Sequence, residues 1–303
     1  MGPVNMRKTN QTDITQNLDQ TEGDMERRMP VSYLVVLAGD SVGRVVRLES
    51  ETCHKAGRSR SCDLFFDCDN ISREHAQFEL DSAGRALLRD LGSTNGTQLN
   101  GKKVAQAPLQ DGDRICLGNV ILRYSRKDGL EYDFQQSLYE KATRDPLTGC
   151  FNKRFLMESL QKEFAFHNRQ KQPLSLMIMD LDDFKKINDT HGHINGDIVL
   201  KRLASEAQSI LRQEDLLARF GGEEFVTLFR FTDREAALAV SEKVLEKISS
   251  LRFETGEGAF GVTVTVGVAT LVERNFNSSD ALLMAADNNL YLGKHDGKNR
   301  VIG

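Results

Sequence analysis

The sequence predicts two domains, an all-β sandwich followed by an α/β (α+β) domain built on a central mixed sheet. Three observations predict it. Between Val31 and about Tyr124, short apolar or alternating runs recur between turn residues, with no helix-length amphipathic stretch. Beyond residue 125 the apolar residues recur at a helical period instead. From residue 143 on, helix-length and strand-length segments alternate, as in a sheet flanked by helices. The 303 residues suffice for about two cores.

Composition narrows the functional classes. Charged residues make up 28% and apolar ones 39%, an ordinary globular balance. The net charge of −4 gives no general electrostatic footprint for nucleic acid, so no nucleic-acid partner is expected. The longest apolar stretches, such as Leu174–Met179, are strand-sized and far below the ~20 residues of a membrane span. The N-terminus lacks the hydrophobic core of a signal peptide. The five cysteines are odd in number, scattered and without a C-x-x-C pair, so reduced thiols are expected.

Each element follows from local pattern. Residues 1–30 are polar, with little to bury, and read as a disordered tail. Strands are expected at Tyr33–Leu37, Val42–Leu48, Leu64–Phe66, Ala76–Leu80, Ala86–Leu88, Arg114–Leu117 and Val120–Leu122. The turns "AGD", "DSAG", "GSTNG", "NGKK" and "QDGD" separate them. In residues 126–145, Leu130, Phe134, Leu138 and Ala142 mark one helical face, either a linker helix that packs on a partner or a plain spacer. Helices are then expected at Asn152–Asn168, Gly196–Leu211, Arg234–Ile248 and Ser279–Leu292. Strands are expected at Leu174–Asp180, Leu216–Phe220, Phe225–Phe229 and Val262–Thr270.

Carboxylates cluster by pattern in the second half. The apolar strand Leu174–Met179 runs into "DLDDF", which puts Asp180 at its C-terminal end, where ligand chemistry collects in such sheets. The hairpin "RFGGEEF" can bring Glu223 and Glu224 beside it, its glycines permitting a tight turn and leaving room for a bulky ligand. Three converging carboxylates repel one another and call for a cation, most simply Mg²⁺ or Mn²⁺ arriving with phosphates. The alternative is that these acids cap turns in solvent. Asn188 and Asp197 have the amide and carboxylate that suit a guanine edge, and Lys294 and Lys298 can neutralise phosphates.

Five segments then decide between these readings. "DPLTGCFNKRF" (Asp145–Phe155), "DLDDFKKINDTHGHINGD" (Asp180–Asp197), "RFGGEEF", "VTVTVGVA" (Val262–Ala269) and "ADNNLYLGKHDGKNR" (Ala286–Arg300) resemble, in order and spacing, the GGDEF-type diguanylate cyclases. The resemblance covers residues 143–303 and implies a nucleotidyl-cyclase-like palm. It implies condensation of two GTP into cyclic di-GMP with loss of two pyrophosphates, in a homodimer whose two sites face each other. It implies Asp180, the Leu181 carbonyl, Glu223 and Glu224 as metal ligands or close neighbours. Asn188 and Asp197 match guanine readers, and Lys294 and Lys298 match phosphate-binding positions. Phe184 and His193 are expected to pack and hold loops. Arg212 and Asp215 match the R-x-x-D pattern of a product-inhibition site. Three departures stand out: Glu223 where aspartate is usual, Lys298 where arginine is usual, and Gly293 in place of alanine.

The first half has its own constellation. "GRS" (Gly57–Ser59), "NISREHAQF" (Asn70–Phe78) and "LGSTNGTQLNG" (Leu91–Gly101) gather cations and hydroxyls in loops, where binding residues collect. Together they resemble a forkhead-associated (FHA) domain over residues 31–125. The resemblance implies an eleven-stranded sandwich that binds a phosphothreonine protein through Arg58, Ser72, Arg73, Thr94 and Asn95, with His75 structural. Residues 126–142 are then expected to be a helical linker through which phosphopeptide docking controls the cyclase dimer, the alternative being that the FHA domain only places the enzyme near a kinase substrate. The competing reading is a silent GTP or cyclic di-GMP binding module in a phosphorylation-dependent scaffold.

Overall fold

The computed structural model describes residues 30–303 apart from 40, 67, 213, 256–257 and 272–275, so the predicted tail lies outside the described residues. The chain divides into two compact units, one ending at Glu140 and the next beginning at Lys141.

Eleven strands build the first unit: β1 (Pro30–Ala38), β2 (Val45–Arg47), β3 (Thr52–Gly57), β4 (Leu64–Phe65), β5 (Ala76–Leu80), β6 (Ala86–Asp90), β7 (Thr97–Leu99), β8 (Lys102–Val104), β9 (Gln106–Pro108), β10 (Arg114–Leu117) and β11 (Val120–Asp128). They form sheets of order β2-β1-β11-β10-β7-β8 and β4-β3-β5-β6-β9. The inner faces follow the two-residue period: Ala76, Phe78 and Leu80 point inward from β5, against Ile115, Leu117 and Leu122. Strands β3, β7, β8 and β9 carry too little apolar pattern to show in sequence; Lys102, Lys103 and Gln106 are exposed edge residues. The turn "NG" closes β7 onto β8 with positive φ at both Asn100 (51°) and Gly101 (82°), as a two-residue hairpin with native twist requires.

Helix α1 (Gly129–Thr143) starts three residues later than the pattern predicts, because residues 126–128 stay paired with β1 as part of β11. Asp128 Oδ1 accepts from Glu131 N at 2.9 Å and caps it. Tyr132 packs edge-on against Tyr33 at 5.4 Å between ring centres, whereas Leu130, Phe134 and Leu138 stay exposed.

The second unit is built on a mixed sheet of order β12-β14-β15-β13-β18-β19, comprising β12 (Phe151–Asn152), β13 (Leu174–Leu181), β14 (Leu216–Arg219), β15 (Glu224–Arg230), β18 (Val264–Thr270) and β19 (Val301–Ile302). A separate hairpin joins β16 (Phe253–Thr255) to β17 (Gly258–Phe260). Strand β13 is central and antiparallel to both neighbours. Its side chains alternate between two cores. Met177, Met179 and Leu181 face α3 (Phe184–His191), α4 (His193–Ile210) and α5 (Arg234–Ser249), whereas Leu174, Leu176 and Ile178 face α2 (Lys153–Gln170) and α6 (Ser279–His295). Burial on both faces explains its apolar run over residues 174–179, broken only by Ser175, which is itself buried and hydrogen-bonded to Thr270 and the Thr232 carbonyl. Asn152, Asp233 and Ser278 cap α2, α5 and α6 through their side chains.

Candidate active site and recognition edge

Strand pairing assembles the carboxylates. Asp180, next to last in β13, lies directly opposite Glu224, first in β15, and Leu181 N donates to Glu223 O at 3.4 Å. The two-glycine turn does its work differently from the expectation. Neither Gly221 nor Gly222 has a left-handed φ, so space rather than backbone freedom explains them. A Cβ on Gly221 would come within 2.7 Å of Glu224 Oε2, and Gly222 opens onto free space.

Lys294, from the last turn of α6, reaches into this corner. Its ammonium pairs with the Asp180 carboxylate, bonds Asp182 Oδ1 at 2.7 Å and lies 3.3 Å from the carbonyls of both Asp180 and Leu181. Burial pushes the carboxyls of Asp180, Glu223 and Glu224 above their usual range; the Asp180 charge raises both glutamates further, and Asp182 adds to the rise at Asp180. Among the described residues no three acidic, histidine or cysteine side chains converge on a single point. The cradle holding the ammonium consists of the Asp180 and Asp182 carboxylates and the Asp180 and Leu181 carbonyls, hard oxygen donors of the kind Mg²⁺ or Mn²⁺ takes.

The other predicted residues surround this corner. Asn188 in α3 rests its amide oxygen on Gly196, where a Cβ would collide with it, next to exposed Asp197 in α4. Lys298 bonds Asp183 Oδ1 at 2.6 Å, with both residues at left-handed φ. Phe184 is buried as expected, His193 is exposed at the start of α4, and His191 stacks on Phe260 with 4.1 Å between ring centres.

Sequence reasoning missed the residues that brace the corner. Asp182 is buried and accepts from Thr263 Oγ1 (2.8 Å), Thr265 Oγ1 (2.7 Å), Lys294 Nζ (2.7 Å) and Asn299 N (3.1 Å). Arg219 donates to the Gly222 carbonyl from Nη2 (2.7 Å) and Nε (3.1 Å), and its Nη1 contacts Asp145 at 3.2 Å. Asp145 also takes the amide and hydroxyl of Thr148. The signals were an arginine two residues before the glycines and an aspartate opening "DPLTG".

Arg212 and Asp215 form a closed turn: Arg212 N donates to Asp215 Oδ2 at 2.9 Å, and Asp215 N to Arg212 O at 3.1 Å. Asp215 is buried, its Oδ1 has no hydrogen-bond partner among the described residues, and burial raises its carboxyl above the usual range.

In the first unit the predicted residues come to one rim. Thr94 N donates to Ser72 Oγ at 3.0 Å, and Asn95 Nδ2 donates to Asn70 O at 2.9 Å. Arg58 N and Ser59 N donate to the carbonyls of Ser72 and Arg73, an approach that leaves no room for a Cβ at Gly57. Buried His75 accepts from Ser72 N through Nδ1 (3.2 Å) and faces Gly96 O through Nε2 (3.4 Å), so it ties the loops together as expected. Burial lowers its pKa and keeps it neutral. Asp90, which the sequence left unmarked, gathers Gly92 N, Ser93 N, Ser93 Oγ and Thr97 Oγ1 and so shapes the Thr94–Asn95 loop.

Comparison with known proteins follows the same division. The family model described as diguanylate cyclase, GGDEF domain matches residues 142–300, and the FHA domain model matches residues 54–118. The chain is 40% identical over 162 residues to the probable diguanylate cyclase DgcT of Escherichia coli, covering 53% of this chain and 35% of that protein. It is 36% identical over 185 residues to the response regulator PleD of Caulobacter vibrioides, covering 60% of this chain and 40% of that protein. It thus spans less than half the length of these relatives. Diguanylate cyclase SiaD of Pseudomonas aeruginosa, solved with its activator SiaC, aligns with TM-score 0.52 and 36% identity over 57% of this chain and 66% of that one. The GGDEF domain of DgcB from Caulobacter crescentus, in complex with c-di-GMP, aligns with TM-score 0.51 and 29% identity over 53% of this chain and 92% of that one. The chain therefore belongs to the GGDEF diguanylate cyclase family and carries an FHA domain ahead of its GGDEF domain.

Proposed function

We propose that the protein condenses two GTP into cyclic di-GMP and two pyrophosphates in the cytoplasm, working as a homodimer under the control of a phosphothreonine protein bound at the FHA rim. The observation that carries the catalytic reading is the Lys294 ammonium gathered by the Asp180 carboxylate and the Asp180 and Leu181 carbonyls, with Glu224 opposite Asp180 on the next strand.

In this reading Asp180, the Leu181 carbonyl, Glu223 and Glu224 would hold Mg²⁺ or Mn²⁺, which would supply Lewis-acid chemistry, lowering the pKa of a 3′-hydroxyl and offsetting phosphate charge. Asn188 and Asp197 read the guanine edge. Lys294 and Lys298 neutralise the triphosphate as the 3′-oxygen attacks the α-phosphorus of the other GTP and pyrophosphate leaves. Lys298 keeps the charge of the usual arginine without its fork, so its grip is a point contact. At the FHA rim, Arg58, Ser72, Arg73, Thr94 and Asn95 bind the phosphate and peptide backbone. Arg212 and Asp215 bind product, the uncapped Asp215 oxygen suiting guanine N–H donors.

Purified protein with GTP and Mg²⁺ should yield cyclic di-GMP by chromatography. Glu223→Gln should yield none, and a chelator should stop the wild-type reaction. GTP binding without product, even in Arg212→Ala and with phosphopeptide added, would favour the silent binding module instead.

A further inference from the structure

Beyond the second unit's acidic corner lies a buried ion cluster that no catalytic role absorbs. Arg230, last in β15, has a side chain only 15% exposed and bonds Glu163 Oε1 on α2 at 2.6 Å. Glu163 is itself buried, and its second oxygen stands 3.4 Å from Nε2 of fully buried His167. An anion and a cation so removed from water are expensive to maintain unless each has a partner. Arg230 has a second contact: Nη1 donates to the Glu214 carbonyl at 3.4 Å. Glu214 lies inside the Arg212–Asp215 turn. Leu216 of β14 pairs with Leu228 of β15, so continuing that antiparallel register by two residues brings Glu214 opposite Arg230.

We infer that Arg230, anchored by Glu163, is the positioning residue for the Arg212–Asp215 turn and so sets how tightly the protein binds cyclic di-GMP there. The inference rests on the reading of that turn as the product site. Arg230 itself touches no ligand. It fixes the Glu214 carbonyl from the neighbouring strand while the turn's own bonds close around Asp215. Its charge also draws the Asp215 carboxyl down, against the larger upward pull of burial. A planar guanidinium can serve Glu163 and the Glu214 carbonyl together, which a single ammonium cannot do at this geometry.

The test uses the full chain with Arg230→Lys, Glu163→Gln and Arg212→Ala. Cyclic di-GMP affinity is read by calorimetry, kcat at low product, and amide hydrogen exchange over residues 212–216. Arg230→Lys keeps a cation opposite Glu163, so the unit stays folded. Its affinity for cyclic di-GMP should fall about tenfold, the worth of one charge-assisted hydrogen bond. Exchange in the turn should quicken while kcat changes by less than about twofold. Glu163→Gln should shift affinity and exchange the same way by less. Wild-type affinity and exchange in Arg230→Lys, alongside lost binding in Arg212→Ala, would overturn the positioning role alone. Undiminished binding in Arg212→Ala would overturn the product-site reading and this inference with it.

Discussion

Asp182 and Asp90 are the two carboxylates on which the candidate sites lean without, in our reading, touching a ligand. Asp182, accepting from two threonines, a lysine and a backbone amide, sets where Lys294 points. Asp182→Asn should lower the unfolding free energy of the cyclase unit by about 2–4 kcal/mol, because Lys294 and two hydroxyls lose a buried anion. Urea unfolding, compared with Thr263→Val, measures this. Asp90 is suited to a pH experiment. Burial pushes its carboxyl up, but the donors from Ser93, Thr97 and Gly92 outweigh it and hold the carboxyl below its ordinary value. A depressed folded value means stabilisation is full above the unfolded value of about 3.9 and is lost as pH falls through the folded value. Protection of residues 91–97 against hydrogen exchange, taken relative to the intrinsic rate at each pH, should therefore fall in acid below about pH 4, and in Asp90→Asn at neutral pH as well. At this scale sequence revealed the side chains that a ligand would meet, since their types advertise chemistry. It concealed Asp182, Asp90 and Arg219, which look like any polar residue until their partners close around them.

Helix α6 shows why a departure from family pattern needs its neighbours to be understood. Gly293 in its last turn invites the idea of a loosened helix. In the fold a Cβ there would lie 2.6 Å from the Thr265 methyl and 3.2 Å from Ile302 Cγ1. Gly293→Ala should therefore forfeit the ~1 kcal/mol of helix propensity it would otherwise gain and become neutral or destabilising. Thr265→Ser keeps the hydroxyl that bonds Asp182 and removes the methyl, so the pair of substitutions should recover stability. A double-mutant cycle on thermal unfolding reads the coupling. Elsewhere, long apolar elements were legible: β13 and α2, α4, α5 and α6 appear within a few residues of expectation. Helix α3 was not. "FKKINDTH" is mostly polar and drew no helix assignment, yet it is helical with Phe184 buried as its anchor. The polar strands β3 and β7–β9 escaped for the same reason, since pairing rather than an apolar pattern makes them strands.

For the whole molecule, α1 carries the regulatory proposal. Leu130, Phe134 and Leu138 share one exposed face, spaced as an intermolecular helix contact requires. Leu130→Glu with Phe134→Glu should leave unfolding free energy within about 0.5 kcal/mol, as surface changes do. It should lower both self-association in sedimentation and cyclic di-GMP formation at fixed protein concentration. A phosphothreonine peptide should alter the wild-type rate and leave Arg58→Ala unmoved; an equal rate with and without peptide would reduce the FHA unit to a tether. Two units, their order and most of the groups proposed to meet ligands could be read along the chain, because apolar period and motif spacing are local properties of sequence. How the carboxylates, Lys294 and the Asp145–Arg219 brace come together could not. Those contacts join residues as much as 114 positions apart, and strand register and helix crossing set them.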